Sequence, residues 1–224
     1  MLSNTTLEQL QLFEHVDSNV DILLLNKNLL IDGDVHIFIT NDSLKKWISE
    51  NKEETENKKI TYTNDRLGKV LDYVIQNEIV KGLIIDGLAP TSLYITNEDL
   101  QPLKDLIDSF CIMYACTCNK IEKAKTAKLV ANKEIYFIGE MPISQKGSTF
   151  GVETLKRKEN NIEYESIEVF LTGEHVQKYN KNNKTITRCR LYDLAWMYKG
   201  MFQIIIEPHC NYWVELNPED IIKK

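Results

Sequence analysis

Thiol and imidazole side chains are the residues of this sequence best suited to chemistry. The chain has five cysteines and four histidines, and His209 directly precedes Cys210 in the segment PHCNYW. A cysteine nucleophile with His209 or His175 as its base requires a lowered thiol pKa. Nothing in the local sequence favours that lowering, so we expect the cysteines to be mainly reduced core residues. A small-molecule site, or a cysteine-dependent reaction at Cys210 such as sulfur transfer, is the alternative.

The same residue types include soft metal ligands. Zinc sites favour close pairs such as C-x2-C, whereas Cys116 and Cys118 are one residue apart and point to different faces of a helix. The remaining candidates, His175, His209 and Cys210, have no such spacing either. The sequence therefore predicts no metal ion and no cofactor.

Motifs for catalysis are absent from the sequence. Gly82 and Gly87 have the spacing of a phosphate-binding loop, but Leu88 and Ala89 follow where lysine and serine or threonine would be needed. The patterns GxGxxG, GxSxG and HExxH do not occur, which argues against the commonest dinucleotide, hydrolase and zinc-protease classes. We therefore predict no catalytic residues and a protein that is not an enzyme.

Composition and charge are those of an ordinary globular chain. It has 224 residues, of which 43% are hydrophobic and 27% charged, enough to bury a sizeable core. The net charge of −6 repels phosphate backbones and anionic lipid, so we expect neither nucleic acid nor a membrane as partner. The N-terminal segment lacks a secretion signal, and the apolar stretch 106–118 is too short to cross a bilayer. We expect a cytoplasmic protein.

The sequence contains an internal repeat. Segment 82–100 aligns with 203–221 without a gap, and apolar and acidic positions match in both. Two further blocks match upstream: 37–40 with 169–172, and 67–74 with 191–198. We therefore predict a tandem duplication of a small α/β module with a mixed sheet. Its parts are the first copy at 1–103, a helical connector at 104–133 and the second copy at 134–224.

Each copy is predicted to alternate strands and helices. Segments 35–39 and 167–171 have the β-branched and aromatic residues of strands, and hairpin signals precede them at Asp32-Gly33 and Asn160-Asn161. Thr40 and Thr172 are placed to cap the helices that follow. A second helix of the first copy is predicted to begin near Asn64 and to bury an apolar face from Leu67 to Ile75.

The ends of the two copies are predicted to differ. Segment 135–138 predicts a strand at the start of the second copy, with no counterpart in the first copy. The first copy is predicted to begin instead with a helix around Leu7 to Phe13. Thr96 with Asp99 resembles a capping box at a helix start, and Asn217 has the same place in the second copy. We expect the apolar first half of the connector to cover an interface that the copies share.

Two acidic features have a structural and a functional interpretation. Asp86 and Glu207 occupy the same repeat position at strand ends, and we expect both to accept backbone N–H groups of the following turn. Residues 1–103 carry 9 basic and 17 acidic side chains, against 18 and 16 in residues 104–224. The acidic loops of the first copy either receive a basic partner or form a solvated face. Their residues are Asp32, Asp34, Glu53, Glu54 and Glu56.

The loop PHCNYW differs most between the copies, because its counterpart GLAPTS is small and non-aromatic. Aromatic residues with a polar group are typical interface anchors. We predict a possible interaction patch of His209, Asn211, Tyr212 and Trp213. The alternative for Trp213 is a place in the core as an ordinary strand residue.

Short motifs of both copies resemble a known family. The second copy has Phe170-Leu171-Thr172, Glu207-Pro208 and Pro218-Glu219-Asp220-Ile221, and the first has Phe38-Ile39-Thr40, Asp86-Gly87 and Asn97-Glu98-Asp99-Leu100. They resemble the N-terminal domain of the SseB family, the enhanced serine sensitivity proteins. The resemblance implies an SseB-like α/β fold and a bacterial cytoplasmic protein without catalytic residues. We therefore expect a non-catalytic protein-interaction or regulatory protein whose partner is another protein, with its oligomeric state left open.

Overall fold

The computed structural model describes residues 15–87, 92–141, 151–159 and 162–223. The chain divides into two compact units, Met1–Cys111 and Ile112–Lys224. Both units combine a mixed β-sheet with short helices, so the predicted α/β class is confirmed. The helix predicted around Leu7 to Phe13 lies outside the described residues. Within the described part of the chain, no helix has the length and apolar character to span a membrane.

The first unit is built from six strands and a set of mostly short helices. Its strands are β1 Asn19–Leu25, β2 Leu30–Ile31, β3 Asp34–Phe38, β4 Ile60–Arg66, β5 Gly82–Ile85 and β6 Leu93–Thr96. Its helices are α1 Asn41–Glu50, α2 Lys52–Asn57, α3 Leu67–Gln76, α4 Asn97–Leu100, a 3-10 turn Gln101–Leu103 and α5 Lys104–Thr117, which contains the boundary between the units. The strand order is β4-β1-β3-β5-β6, with β2 also paired to β3.

The second unit has the same sheet. Its elements are α6 Lys123–Val130, β7 Glu134–Ile138, β8 Thr154–Glu159, β9 Ile162–Phe170, α7 Gly173–Tyr179, β10 Ile186–Arg190, α8 Leu191–Met197, β11 Gln203–Ile206, β12 Val214–Leu216 and α9 Pro218–Ile222. Its strand order is β10-β7-β9-β11-β12, with β8 also paired to β9. The central pair is parallel in both units, β3 with β5 and β9 with β11, and the other pairs are antiparallel. The two units therefore repeat one architecture.

The strand at 135–138 has a twin, contrary to the sequence prediction. β7 takes the place in its sheet that β1 takes in the first. The residues before the two strands also match, because Leu67 N–H donates to Ser18 O just as Leu191 N–H donates to Lys133 O. The match was hidden because β1 and β7 share little beyond apolar character.

The start of the second helix near Asn64 was also predicted wrongly. Residues Ile60–Arg66 form β4, which pairs with β1 along its whole length, and α3 begins only at Leu67. β4 is an edge strand whose middle side chains are exposed, so it lacks the alternation of apolar residues that marks a strand.

Several local predictions are confirmed. The Thr40 and Thr172 side chains cap α1 and α7 by accepting the N–H of the third residue along. Thr96 and Asp99 form the complete capping box of α4. Asp32 and Gly33 both have positive φ, at 56° and 98°, and close the two-residue hairpin between β2 and β3. The second predicted hairpin turn, residues 160–161, lies outside the described part of the chain.

The core of each unit lies along its central strands. Buried side chains without measurable exposure come from matching positions: Val35, Ile37 and Leu83 in the first unit, and Ile167, Val169 and Ile204 in the second. The opposite side of each sheet is covered at one end by the helix that follows the central strand. Phe38 and Leu44 form that contact in the first unit, and Phe170 and Val176 form it in the second. The central strand ends are thus held at fixed positions.

Candidate functional site

The carboxylate of Glu207 lies at the end of β11 and is almost fully buried, with 1% of its surface exposed. Its backbone has a φ of 51°, in the left-handed region that is uncommon for residues other than glycine. The side chain turns back across the sheet, and Leu171 N–H donates to Glu207 Oε1 over 2.7 Å. Leu171 directly follows β9, the parallel neighbour of β11. One oxygen of Glu207 therefore fixes the ends of two central strands.

The other oxygen of Glu207 contacts two reactive side chains. His175 Nδ1 lies 3.0 Å from Glu207 Oε2, and Cys210 Sγ donates to the same oxygen over 3.6 Å. His175 is in the first turn of α7, where Thr172 Oγ1 caps its backbone N–H. Cys210 is held by its own N–H, which donates to the Glu207 carbonyl over 3.0 Å. Helix cap and turn thus bring an imidazole and a thiol to one carboxylate oxygen.

The three side chains form a compact donor set. One ligand atom from each of His175, Glu207 and Cys210 lies within 4.8 Å of the others. His175 and Glu207 are buried and Cys210 is half-buried, so the set is open to solvent on the cysteine side. We name these three residues the His-Glu-Cys cluster. The sequence suggested His175 as a possible base for Cys210 and predicted no metal ion, but it did not connect either residue with Glu207.

Aromatic rings form a stack at residues that neighbour this cluster along the chain. The His209 ring stacks on Tyr179 with their centroids 3.7 Å apart, and Tyr179 in turn stacks on Phe170 at 5.7 Å. His209 Nε2 also lies 3.5 Å from Glu168 Oε1. Burial raises the pKa of Glu168, and the nearby His209 opposes that shift. His209 therefore contacts both an aromatic ring and a carboxylate of its own unit.

Among its described residues, the first unit repeats the anchoring half of this arrangement. Asp86 has a φ of 48°, and Ile39 N–H donates to Asp86 Oδ1 over 3.0 Å. Ser43 occupies the position that matches His175 in the second unit, and its Oγ forms a hydrogen bond with Thr40 Oγ1. Ala89, the counterpart of Cys210, lies outside the described residues. The predicted acceptor role of Asp86 and Glu207 is confirmed, but the donor is the residue after the neighbouring strand and not the following turn.

One of the four residues of the predicted patch is buried. His209, Asn211 and Trp213 are exposed, whereas Tyr212 is buried with 2% of its surface accessible. Tyr212 is therefore a wrong choice for an exposed patch. Trp213 is 39% exposed, so its alternative assignment to the core is also wrong. Both residues directly precede β12, and the alternation of buried and more exposed side chains in that strand already begins at Tyr212, which places Trp213 on the same face as Glu215.

Trp213 belongs to a surface that sequence reasoning only partly identified. The Arg157 guanidinium lies over the Trp213 ring, 5.0 Å from its centroid, and Arg157 Nε is 3.9 Å from Glu215 Oε1. Tyr164 O–H donates to Glu215 Oε2 over 3.1 Å. Burial and this hydrogen bond raise the pKa of Tyr164, so its hydroxyl stays a donor at neutral pH. We name Arg157, Tyr164, Trp213 and Glu215 the tryptophan surface.

Two of the remaining cysteines, Cys111 and Cys189, are poor nucleophiles because of their surroundings. Burial, with Asp72 adding to it, raises the pKa of Cys111 to about 12. Burial, with Asp193 adding to it, raises the pKa of Cys189 to about 11. Of the other three, Cys116 is buried, Cys118 is exposed and Cys210 is half-buried, and none forms a disulfide. The five cysteines are thus free thiols as expected, but the expected core position holds fully for Cys116 alone, since three others are partly buried and Cys118 is exposed.

Comparison with known proteins supplies no family for the chain. No protein-family model matches it, and no curated protein matches it either. Among solved structures it is similar to Anabaena Tic22, a protein described under protein transport. The identity is 13%, the similarity covers 93% of each chain and the TM-score is 0.26. Functional interpretation therefore depends on the geometry of the chain's own side chains.

Proposed function

We propose that this chain is a non-catalytic protein-interaction or regulatory protein of the SseB-like type, and that it binds a partner protein through the tryptophan surface. The observation that carries the proposal is the exposed Trp213 ring beneath Arg157. Tryptophan, tyrosine and arginine are the side chains that contribute most to binding at protein interfaces.

The contacts within the tryptophan surface favour binding. Glu215 accepts hydrogen bonds from Ser166 Oγ and Tyr164 O–H, which fixes the carboxylate that faces Arg157. Arg157 is thereby held between Glu215 and the Trp213 ring. Side chains already restrained in the free protein lose less conformational entropy when a partner binds. The surface is therefore preorganised.

The charge around Trp213 indicates the partner's character. The positive group over Trp213 is the Arg157 guanidinium. Lys156 and Lys158 lie on the opposite face of β8, each directly across from a glutamate of β9. A positive group over an aromatic anchor favours an acidic partner group and disfavours a basic one. We therefore propose that the partner is a protein segment with an acidic residue that faces Arg157. Lysines on a strand edge hinder edge-to-edge aggregation, which is the structural interpretation of Lys156 and Lys158.

Affinity capture with the full chain at physiological salt tests this function. We compare the wild type with Trp213→Ala and, as a matched control, with Trp196→Ala, since Trp196 is also exposed but lies on α8. A partner retained by the wild type and by Trp196→Ala, but reduced more than about ten-fold by Trp213→Ala, supports the proposal. No reproducible partner, or equal loss in both variants, contradicts it.

The finer assignments belong to the same proposal. The FLT and FIT segments and the acidic helix starts of both copies support membership of the SseB family, and with it a bacterial cytoplasmic location. Fractionation of the native cell tests the location, because recovery with a membrane or outside the cytoplasm would contradict it.

A cysteine-dependent enzyme is the second candidate, and the position of Cys210 favours it. Cys210 is the half-buried thiol whose carboxylate neighbour also contacts His175. Alkylation of each thiol at neutral pH separates the two functions. A Cys210 that reacts faster than free cysteine supports the enzyme, whereas reaction no faster than free cysteine excludes a nucleophile there.

A further inference from the structure

We propose that His175, Glu207 and Cys210 bind one divalent ion of the zinc class in the second unit. The three side chains present one nitrogen, one oxygen and one sulfur ligand atom within 4.8 Å of one another. This proposal does not rest on the tryptophan surface or on any partner protein.

The distances within the cluster are close to those of a zinc site. Zinc bonds of about 2.0–2.3 Å in a tetrahedron place the donor atoms about 3.3–3.7 Å apart. Glu207 Oε2 lies 3.6 Å from Cys210 Sγ, inside this range, and 3.0 Å from His175 Nδ1, slightly below it. The imidazole and thiol ligand atoms lie within 4.8 Å of each other. Small side-chain adjustments therefore suffice to admit the ion among the three atoms.

The carboxylate is oriented for a single metal bond. Glu207 Oε1 already accepts the Leu171 N–H, which leaves Oε2 as the oxygen for the ion. Hydrogen bonds of this kind orient metal ligands and strongly affect metal affinity. The backbone of α7, capped by Thr172, positions His175 on the opposite side. Two of the three ligands are thus held in place before any ion arrives.

The donor types select the ion. Imidazole and thiolate favour zinc and neighbouring transition metals, whereas magnesium and calcium prefer oxygen ligands alone. Three protein ligands leave a fourth tetrahedral position, which in zinc proteins holds water or a bound molecule. Cys210 is half-buried, so solvent reaches the cluster from its side.

The first unit shows which residues are specific to this site. Asp86 is anchored as Glu207 is, but Ser43 replaces His175. A serine hydroxyl is a much weaker zinc ligand than imidazole. The structural role of the carboxylate is therefore common to both units, whereas the two further ligand residues, His175 and Cys210, are found in the second unit.

Zinc titration of the full reduced chain against a chromophoric chelator tests the proposal. We expect one zinc ion per chain, and Co²⁺ in its place should give a thiolate-to-metal absorption band. Cys210→Ser and His175→Gln should each weaken zinc binding by more than about 100-fold, since even loss of an outer hydrogen bond costs about 10–100-fold. Cys118→Ser and Cys189→Ser are matched controls and should bind as the wild type does.

The outcomes are decisive in both directions. A wild-type chain that does not withhold zinc from the chelator overturns the proposal. So does a Co²⁺ thiolate band that persists in Cys210→Ser, or that disappears equally in Cys118→Ser. If His175→Gln fails to fold, Cys210→Ser decides alone, because its circular dichroism and thermal midpoint without metal are expected to equal those of the wild type.

Discussion

Asp86 and Glu207 occupy the same place in the two units, but their carboxylates contact different numbers of side chains. Both have φ near 50°, and both accept the N–H of the residue that follows the neighbouring central strand. Only in Glu207 does the second oxygen also contact an imidazole and a thiol among the described residues. A duplicated module can therefore keep a structural carboxylate in both copies while one copy acquires chemistry around it.

A second pair of matching positions has a hydrogen bond in both units but different residues in each. Tyr94 O–H donates to Asp34 Oδ1 over 3.2 Å, between β6 and β3 across the intervening strand. At the matching positions of the second unit, Ser166 Oγ donates to Glu215 Oε1 over 2.6 Å. The geometry is conserved between the units, but donor and acceptor have exchanged strands. Residues at these positions are thus constrained as pairs.

The largest expected effect concerns Phe110, which has no counterpart in the aligned part of the second unit. Phe110 is fully buried, and α5 carries it over the start of α3. Phe110→Asp should lower the free energy of unfolding by at least about 3–5 kcal/mol, because it leaves a cavity and buries a charge. Urea unfolding followed by circular dichroism measures this. Ile79→Asp, at an exposed site, should change it by less than about 0.5 kcal/mol.

The contrast between Gly68 and its counterpart Tyr192 gives a smaller effect. A Cβ added at Gly68 would clash with the Phe110 ring. Gly68→Ala should therefore destabilise the chain by about 1–3 kcal/mol despite its better helix propensity.

A double-mutant cycle makes this prediction sharper. When Phe110→Ala removes the ring, Gly68→Ala should become stabilising by up to about 1 kcal/mol, since alanine favours helix over glycine. A cost that is unchanged in that background would show that the Phe110 ring is not the cause of the glycine requirement.

The smallest expected effect is on the pH dependence of the free energy of unfolding. It concerns His36 and Glu168, which occupy matching positions in β3 and β9. Burial lowers the pKa of His36 from 6.5, against the opposing influence of Asp34 and Asp32. The unfolded chain then binds this proton more tightly, so His36 should reduce stability as pH falls below 6.5. Burial, with Glu153 adding to it, raises the pKa of Glu168 above 4.5. Glu168 should increase stability as pH falls toward 4.5.

Unfolding free energies measured across this pH range separate the two contributions. His36→Gln should make the loss of stability on acidification smaller, and Glu168→Gln should make it larger. Changes of the same sign in both variants would contradict the assignment of opposite roles to these matching positions.

The sequence predicts the repeated architecture where apolar strands are buried. Ile84 and Ile85 align with Ile205 and Ile206 because both pairs lie in a central strand, where burial keeps side chains apolar. The edge strand β4 could not be identified in this way, since its exposed side chains are under no such constraint. A signal that depends on apolar residues therefore misses a polar edge strand such as β4.

The candidate site was harder to predict for a geometrical reason. Glu207 was recognised as a carboxylate in an apolar context, but His175 is 32 residues away in sequence and reaches it only through the fold. The repeat itself contains a signal that distinguishes His175. The two copies share the threonine cap, but three residues later the first copy has Ser43 and the second has His175. Two neighbours of Trp213 in the tryptophan surface, Arg157 and Tyr164, lie on β8 and β9 and have no such signal.

The most direct test of the different roles of the two carboxylates compares Asp86→Asn with Glu207→Gln in urea unfolding of the metal-free chain. Each amide keeps the oxygen that accepts the Ile39 or Leu171 N–H. Asp86→Asn should change the free energy of unfolding by less than about 0.5 kcal/mol, because asparagine tolerates positive φ. Glu207→Gln should cost about 1–3 kcal/mol, because buried hydrogen bonds from His175 and Cys210 to a carboxylate are lost. Equal costs in the two variants would contradict a second role for Glu207.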